Sequence, residues 1–347
     1  MPNISDIFNG DAFNVLSLTR NINNIPYKPS RIEELGIYDG DGDGAGAGVN
    51  TQRLAVVNVD QVLQVIPDTA LGTMPNKQQT NPGDIRYFTI PHLPLNDNVM
   101  AWELQGQTTL GDIGSAGDSQ QLLSVQQAIT NKQGLMVQNH MLTWEWMRMN
   151  SIKGILLDAD GSTVLYNWFT EFGVTPHELT WTVATEGDIN TVCDAIVRHT
   201  TNVLGNDRAS GIHCFVGSDF MTALKNDPAL QPGFLRYPNE APGALYREST
   251  VYGTINYNGI TFEEYRGLLG GNPYVAADEA YAFPLGTNAF IRRNGPGDLS
   301  VAQGTMGMPM YSSRKELDFG TGWGLHSQSN PMFMCQRPGV LTKISLA

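Results

Sequence analysis

The sequence is poor in charge, in basic residues and in long apolar runs, and each shortage excludes a class of protein. Charged residues make up 16% of the 347 residues, against roughly 25% in an average globular chain. The net charge of −13 argues against a protein that holds nucleic acid on a basic face. No stretch approaches the ~18 apolar residues of a membrane span, so we expect no membrane partner. The first residues lack the features of a signal peptide, so we expect the chain to be made and kept in a cytoplasm.

Cysteine is also scarce. Cys193, Cys214 and Cys335 are scattered along the chain and show no C-x-x-C spacing. We therefore expect buried thiols in a reducing compartment, and neither a disulfide framework nor a metal site.

The usual motifs of enzymes and cofactor sites are missing. Asp39, Asp41 and Asp43 resemble the first half of a calcium-binding loop, but its twelfth position, which should be Glu, is Asn50. A solvated acidic linker is the favoured interpretation. Asp158 and Asp160 could hold a metal, although an Asp-Gly hairpin turn explains both. The glycines of residues 40–48 match no dinucleotide or phosphate loop.

Histidines and basic doublets give no stronger signal. The six histidines, none of them paired at helical spacing, are His92, His140, His177, His199, His213 and His326. The doublets Arg292-Arg293 and Arg314-Lys315 are interpreted as ordinary surface. We predict no catalytic residue, no cofactor-binding residue, no metal ligand and no cofactor.

What the chain does contain is an ordered series of structural segments. A short amphipathic segment ends before Pro26 and Pro29, and an Asp/Gly linker follows. Residues 51–66 and 84–90, the latter continuing weakly through 99–104, predict a long two-stranded arm. Such an arm would be marginal alone and would lie on a neighbour.

A long helix is predicted from Asp118 to about Asn150, with apolar residues at helical spacing. Its aromatic and methionine run, residues 141–149, indicates a core or a subunit contact, and the face with Trp144 and Trp146 is the first candidate for packing. A hairpin follows, with a type I′ turn at Asp160-Gly161.

The rest of the chain predicts a compact α+β domain and a C-terminal strand. Its elements are a helix at 186–204, a strand at 212–216, a short helix at 219–225, a hairpin at 251–265 turning at Asn258-Gly259, short strands at 280–283 and 289–291, and a strand-like C-terminus.

Several short segments, taken in this order, match a known family. They are Asp6-Ile-Phe8, Leu16-Ser-Leu-Thr-Arg-Asn-Ile22, the hairpin from Ile152-Lys-Gly-Ile-Leu-Leu-Asp-Ala-Asp-Gly-Ser162 to Tyr166-Asn-Trp-Phe169, and Gln328-Ser-Asn-Pro-Met-Phe-Met334 with Val340-Leu-Thr-Lys-Ile-Ser-Leu-Ala347. The chain resembles the major capsid proteins of tailed bacteriophages, which share the Hong Kong 97-type fold, and in particular the phage lambda major capsid protein E family.

The resemblance implies an α+β capsid fold with a defined domain order. Residues 1–50 would be the N-terminal arm and Gly/Asp linker, and residues 51–106 the extended loop. Residues 107–182, with the spine helix and hairpin, would form the peripheral domain. Residues 183–303 would be the axial domain, and residues 304–347 would return to the peripheral domain.

The resemblance also implies partners and a location. The chain would assemble with itself into the hexamers and pentamers of an icosahedral head around double-stranded DNA, with scaffold, portal and decoration proteins as further candidates. It would reside in the virion, and in the host cytoplasm before assembly. No residue can be matched to the inter-subunit Lys–Asn cross-link of some relatives, so none is expected. Two alternatives stay open: an encapsulin-like compartment for enzyme cargo, and a soluble hydrolase using His199 or His213 with a serine.

Overall fold

The computed structural model describes residues 15–24, 30–39, 47–58, 84–105, 118–183, 188–205, 207–228, 230 and 253–347. The expected arm residues 1–14, the linker aspartates Asp41 and Asp43 and the tip of the two-stranded arm lie outside the described residues.

The helices of the described residues are dominated by one long element. In chain order they are α1 (Val15–Asn24), α2 (Arg31–Glu34), α3 (Ala101–Gln105), α4 (Asp118–Ile152), α5 (Trp168–Phe172), α6 (Asp188–Leu204) and α7 (Ser218–Asn226). The 35 residues of α4 extend over about 50 Å at 1.5 Å per residue.

The strands of the described residues alternate with these helices. In chain order they are β1 (Arg53–Asn58), β2 (Asp84–Thr89), β3 (Leu93–Met100), β4 (Ile155–Leu157), β5 (Val164–Asn167), β6 (His177–Trp181), β7 (Gly211–Val216), β8 (Thr254–Tyr257), β9 (Ile260–Glu264), β10 (Leu268–Leu269), β11 (Asn272–Pro273), β12 (Glu279–Leu285), β13 (Phe290–Asn294), β14 (Tyr311–Glu316), β15 (Gly322–Ser329), β16 (Pro331–Cys335) and β17 (Thr342–Leu346).

The largest sheet has the strand order β6-β17-β12-β7-β9-β8. β17 pairs parallel with β6 and antiparallel with β12, so the predicted C-terminal strand is confirmed and is tied into this sheet. Apolar residues of α6 and α7 pack against it, among them Ile196 and Phe220, which are fully buried together with Cys214 and Phe262 of the sheet. The predicted helices and strands of this region are confirmed.

A smaller sheet has the order β14-β15-β3 and carries α1. Thr19 of α1 exchanges two hydrogen bonds with the backbone of Ser312, at 3.1 and 3.2 Å. Asn23 donates to the carbonyl oxygen of Met310 at 2.9 Å. The described part of the N-terminal segment therefore packs on the sheet of its own chain.

The long helix is confirmed, but its C-terminal end is buried on all sides and not along a single apolar face. Leu142, one of the apolar residues at helical spacing, is exposed, whereas every residue from 144 to 152 is buried. Trp144 and Trp146 are both enclosed by the chain's own core. This end of α4 lies within the main hydrophobic core, so its burial follows its tertiary surroundings and not the helical period.

The base of the two-stranded arm is confirmed, and its predicted continuation is wrong. β1 pairs antiparallel with β2, with Leu54 opposite Phe88. Phe88 packs edge-on against Tyr166 and Trp168, with ring centroids 5.5 Å apart in both cases. The second strand ends at Thr89. Residues 93–100 pair with β15 instead, and residues 101–105 are helical, because Pro91 interrupts the ladder and β3 reaches a different sheet edge.

The two hairpin turns differ. At β8–β9 the predicted turn is confirmed, and because Asn258 (φ 46°) and Gly259 (φ 80°) both have positive φ, it is of type I′. At β4–β5 the type I′ prediction is wrong: Gly161 has φ 72°, but Asp160 is not among the positive-φ residues. The Asp160 carboxylate instead accepts hydrogen bonds from the backbone and hydroxyl groups of Ser162 and Thr163. A side-chain-stabilised loop replaces the tight turn.

We predict that Gly259→Ala destabilises the protein by about 1 kcal/mol, because an alanine must adopt a positive φ there although no atom lies within 4 Å of its Cβ. Gly211→Ala is the matched control, since its Cβ also meets nothing within 4 Å and its φ is not in the positive range. Urea unfolding should show a loss for the first variant and none for the control. Equal effects would contradict the turn assignment.

Candidate functional site

A buried charge network connects three parts of the chain. Arg148 of α4 is fully buried. Its Nη1 lies 3.4 Å from Oε2 of Glu33 and 3.9 Å from Oε2 of Glu145, and it donates to Ser30 Oγ at 3.2 Å. The guanidinium also lies 4.9 Å from the ring centroid of Phe333. A guanidinium taken out of water requires such partners, so the segment of α2 is held on α4.

Glu145 extends the network to the large sheet. Its Oε1 accepts from Tyr265 Oη at 2.5 Å and from the backbone N–H of Ile32 at 3.2 Å. Burial, together with the nearby Glu145 carboxylate, raises the pKa of Tyr265, so the phenol stays a donor. Tyr265 directly follows β9. The Glu145 carboxylate therefore contacts residues of three separate elements: α2, α4 and the end of β9.

A second ion pair joins the same elements at their edge. Arg31 of α2 binds Glu263 of β9 through two hydrogen bonds, at 2.6 and 2.8 Å. His213 Nε2 of β7 lies 3.2 Å from the same carboxylate. Burial alone would raise the pKa of Glu263, but the hydrogen bonds from His213 and Arg31 lower it to about 2. The bidentate geometry fixes the orientation of α2 on the sheet.

Polar contacts also join α4 to the smaller sheet. His140 lies with Nε2 3.0 Å from Ser327 Oγ and Nδ1 3.1 Å from Ser329 Oγ. Trp144 Nε1 donates to Ser329 Oγ at 3.2 Å, and Gln133 donates to Ser312 Oγ at 3.2 Å. Burial, with a smaller effect of His326, lowers the pKa of His140 to about 4. The imidazole is therefore neutral at pH 7, and we call this row of contacts the polar seam.

Arg292 overturns the surface prediction for the doublet Arg292-Arg293, whereas Arg314 is half-buried and Lys315 exposed. It is buried, and its guanidinium lies 4.4 Å from the ring centroid of Trp144 and 5.7 Å from that of Phe333. Cation–π stacking on two rings allows a cation to enter this core. The Arg-Arg pattern in the sequence could not show this burial, because only the fold brings Trp144 next to Arg292. Arg293, in contrast, reaches Asp39 at 3.1 Å.

The cysteines and His213, which were candidates for chemistry in the sequence, lie buried in the structure. Cys193, Cys214 and Cys335 are buried free thiols, as expected, and burial raises the pKa of Cys193 and Cys335 to about 12. Such thiols are unreactive at neutral pH. His213, expected in the core, is buried in its strand.

Two further histidines, His177 and His199, have structural partners. The rings of His177 and His199 stack at 3.7 Å between centroids; His177 contacts Thr342 Oγ1 and His199 contacts the carbonyl oxygen of Gly339. Both therefore attach the C-terminal segment to β6 and α6. Among the described residues, no group of three or more His, Cys, Asp or Glu side chains is arranged to hold a metal ion. Within the same residues, no helix has the length and apolar character of a membrane span.

Comparison with known proteins identifies the family. The sequence model of the family described as phage major capsid protein E matches residues 14–346. The chain belongs to this family of phage major capsid proteins. The family is structural and is not known for enzymatic activity, so this capsid protein is a component of the virion shell.

This capsid protein is similar to several solved structures. A prophage capsid protein of E. coli CFT073 is 12% identical, with 96% of this chain and 99% of that chain covered and a TM-score of 0.58. A Mycobacterium phage Bobi chain is 8% identical over 99% and 98%, with a TM-score of 0.46. A virus-like particle from Pyrococcus furiosus is 10% identical over 86% and 88%, with a TM-score of 0.39. The first of these shows the capsid fold of the Hong Kong 97 type. A search of curated proteins finds no match.

Membership of this family changes the meaning of the network. The contacts of a capsid protein are its function, and the charge network and the polar seam give the subunit a fixed shape to present to its neighbours. The hydrolase alternative loses its basis, since His199 and His213 are both occupied by structural contacts.

We predict that Arg148→Leu lowers the free energy of unfolding by about 3–5 kcal/mol, because Glu33 and Glu145 would stay buried without the cation. Arg337→Ala is the control: its ion pair with Asp207 has side chains 51% and 53% exposed and should contribute about 1 kcal/mol or less. Urea unfolding followed by tryptophan fluorescence measures both. If both variants lost a similar amount of unfolding free energy, the buried charge network would not be a major source of stability.

A second prediction concerns acid. The pKa of His140 is about 4 in the folded chain and 6.5 ordinarily, so its contribution is present above pH 6.5 and is lost as pH falls toward 4. Wild type should lose about 3 kcal/mol over this window through His140. His140→Gln, which retains hydrogen-bonding groups, should lose less between pH 6.5 and 4. Parallel stability curves for the two proteins would contradict the assignment.

Proposed function

We propose that this capsid protein assembles with itself into the hexamers and pentamers of an icosahedral phage head that encloses double-stranded DNA. The observation that carries the proposal is the family match over residues 14–346. Scaffold, portal and decoration proteins would act as further partners, and the subunit would wait in the host cytoplasm before assembly.

The physical character of the chain supports this role. The ribbon of β1 and β2 covers the core with Leu54, Val56 and Phe88, and its other face leaves Ile85 and Tyr87 exposed. A ribbon with apolar residues on both faces is suited to lie between its own subunit and a neighbour. We propose that residues 51–106 include this extended loop, and that residues 107–182 with 304–347 and residues 183–303 act as the peripheral and axial domains.

The charge of the chain suits an enclosed nucleic acid that must move. A net charge of −13 gives weak affinity for phosphate backbones, because DNA binding depends on cationic groups that release counterions. Several cations are also engaged inside the subunit, including Arg148 and Arg292, which are buried. The wall would therefore contain DNA without holding it.

The measurement that tests the proposal is the mass of the native assembly, determined by light scattering and negative-stain microscopy of the concentrated protein under assembly conditions. We expect closed shells of many copies. A stable monomer at high concentration would contradict the proposal. Shells isolated from cells with an enzyme bound inside, in place of DNA, would instead support an encapsulin-like compartment.

A further inference from the structure

Phe319 has an unfavourable backbone conformation and a fully exposed ring, and no contact among the described residues of its own subunit compensates for either. Phe319, in the turn between β14 and β15, has φ 62° and ψ 17°, a left-handed conformation that disfavours a bulky residue. Its ring is fully exposed, at 102% of the reference area. Glycine or asparagine would remove both costs. A strained and fully exposed phenylalanine suggests that its ring is used outside the subunit.

A second aromatic ring is exposed at the same end of the sheet. Trp102 of α3 is 69% exposed. Its helix starts where the turn of Phe319 ends, since the N–H of Ala101 donates to the carbonyl oxygen of Thr321 at 2.9 Å and Met100 is paired with Gly322. We call Trp102 and Phe319 the aromatic end.

The opposite end of β14 exposes two methionines. Met306 is 60% and Met308 is 41% exposed. They precede β14, whereas Phe319 follows it, so the six residues of this strand place the two ends about 20 Å apart. We call Met306 and Met308 the methionine end.

The loop of the methionine end is held rigidly. Gly307 donates to the carbonyl oxygen of Val49 at 2.9 Å, and a Cβ on Gly307 would lie 2.0 Å from the carbonyl oxygen of Asn294. The N–H of Met308 donates to Tyr311 Oη at 2.9 Å. The backbone between the two methionines is thus pressed onto the subunit, and their side chains remain outside.

We propose that the aromatic end of one subunit docks on the methionine end of a second copy of this chain. Flexible thioethers adapt to aromatic rings and make favourable sulfur–ring contacts. Two different patches at opposite ends of one sheet cannot satisfy each other within a subunit, but they can do so head to tail between copies. Such a heterologous contact repeats from copy to copy and forms a ring where its rotation closes. The inference rests on the proposed self-assembly and specifies one of its contacts.

Disulfide trapping tests the contact directly. A Phe319→Cys chain is mixed with a Met306→Cys chain, assembled, oxidised and analysed on a denaturing gel without reductant. The native thiols Cys193, Cys214 and Cys335 are buried and provide a silent background. We expect covalent dimers in the mixture and few with either chain alone. A chain with both substitutions should give ladders of joined subunits.

Two results would overturn the contact. Dimers of the Phe319→Cys chain alone, as abundant as in the mixture, would show a symmetric contact between two aromatic ends. Intact shells without any mixed dimer would refute the docking while the shell proposal stands. If wild type forms no shells, the proposed function itself fails, and the docking with it.

A glycine variant separates assembly from folding. Phe319→Gly removes the ring and the backbone strain together, so its unfolding midpoint should equal or exceed that of wild type. The protein concentration required for assembly should rise about tenfold or more, as expected for loss of one buried phenylalanine ring. Phe319→Tyr, which keeps the ring, should assemble close to wild type. An unchanged assembly threshold for Phe319→Gly would contradict the proposal.

Discussion

The burial of Arg148 is the constraint on which the rest of the subunit depends. A guanidinium in the core is tolerated only where carboxylates and hydroxyls surround it, and here they come from Glu33, Glu145 and Ser30. Glu33 and Ser30 belong to a segment far from α4 in sequence, whereas Glu145 lies on α4 itself, one turn before Arg148. Satisfying one charge therefore fixes the position of α2 on the long helix, and Tyr265 extends the same requirement to the large sheet.

The polar seam and the stacked Arg292 apply the same logic to the other side of α4. Hydrogen bonds through His140 and Trp144 are directional, so they set the register of the helix on β15 more narrowly than apolar packing does. These contacts fix both sides of α4, while several large apolar side chains, Phe319 and Trp102 among them, stay exposed. A shell built from one repeated chain needs both a subunit of defined shape and exposed surfaces that bind other copies.

Much of the fold could be predicted, because it depends on local signals. The long helix, the Asn258-Gly259 turn and the C-terminal strand follow from periodicity, turn chemistry and an apolar terminus. The errors occurred where distant residues decide. Residues 93–105 form no part of the arm, since β15 offers β3 a better partner, and Asp160 satisfies its carboxylate within its own loop.

The sequence by itself indicated the class of the protein: the shortage of charge and of catalytic motifs favoured neither an enzyme nor a nucleic-acid reader, and the order of segments resembled that of a capsid subunit, which the family match confirms. Only the tertiary structure decided which polar residues are internal. Arg148 and Arg292 look like surface residues in the sequence, and their burial requires carboxylates and rings that folding brings from more than a hundred residues away. The cost of desolvating a charge is paid by distant partners, which no local pattern reveals.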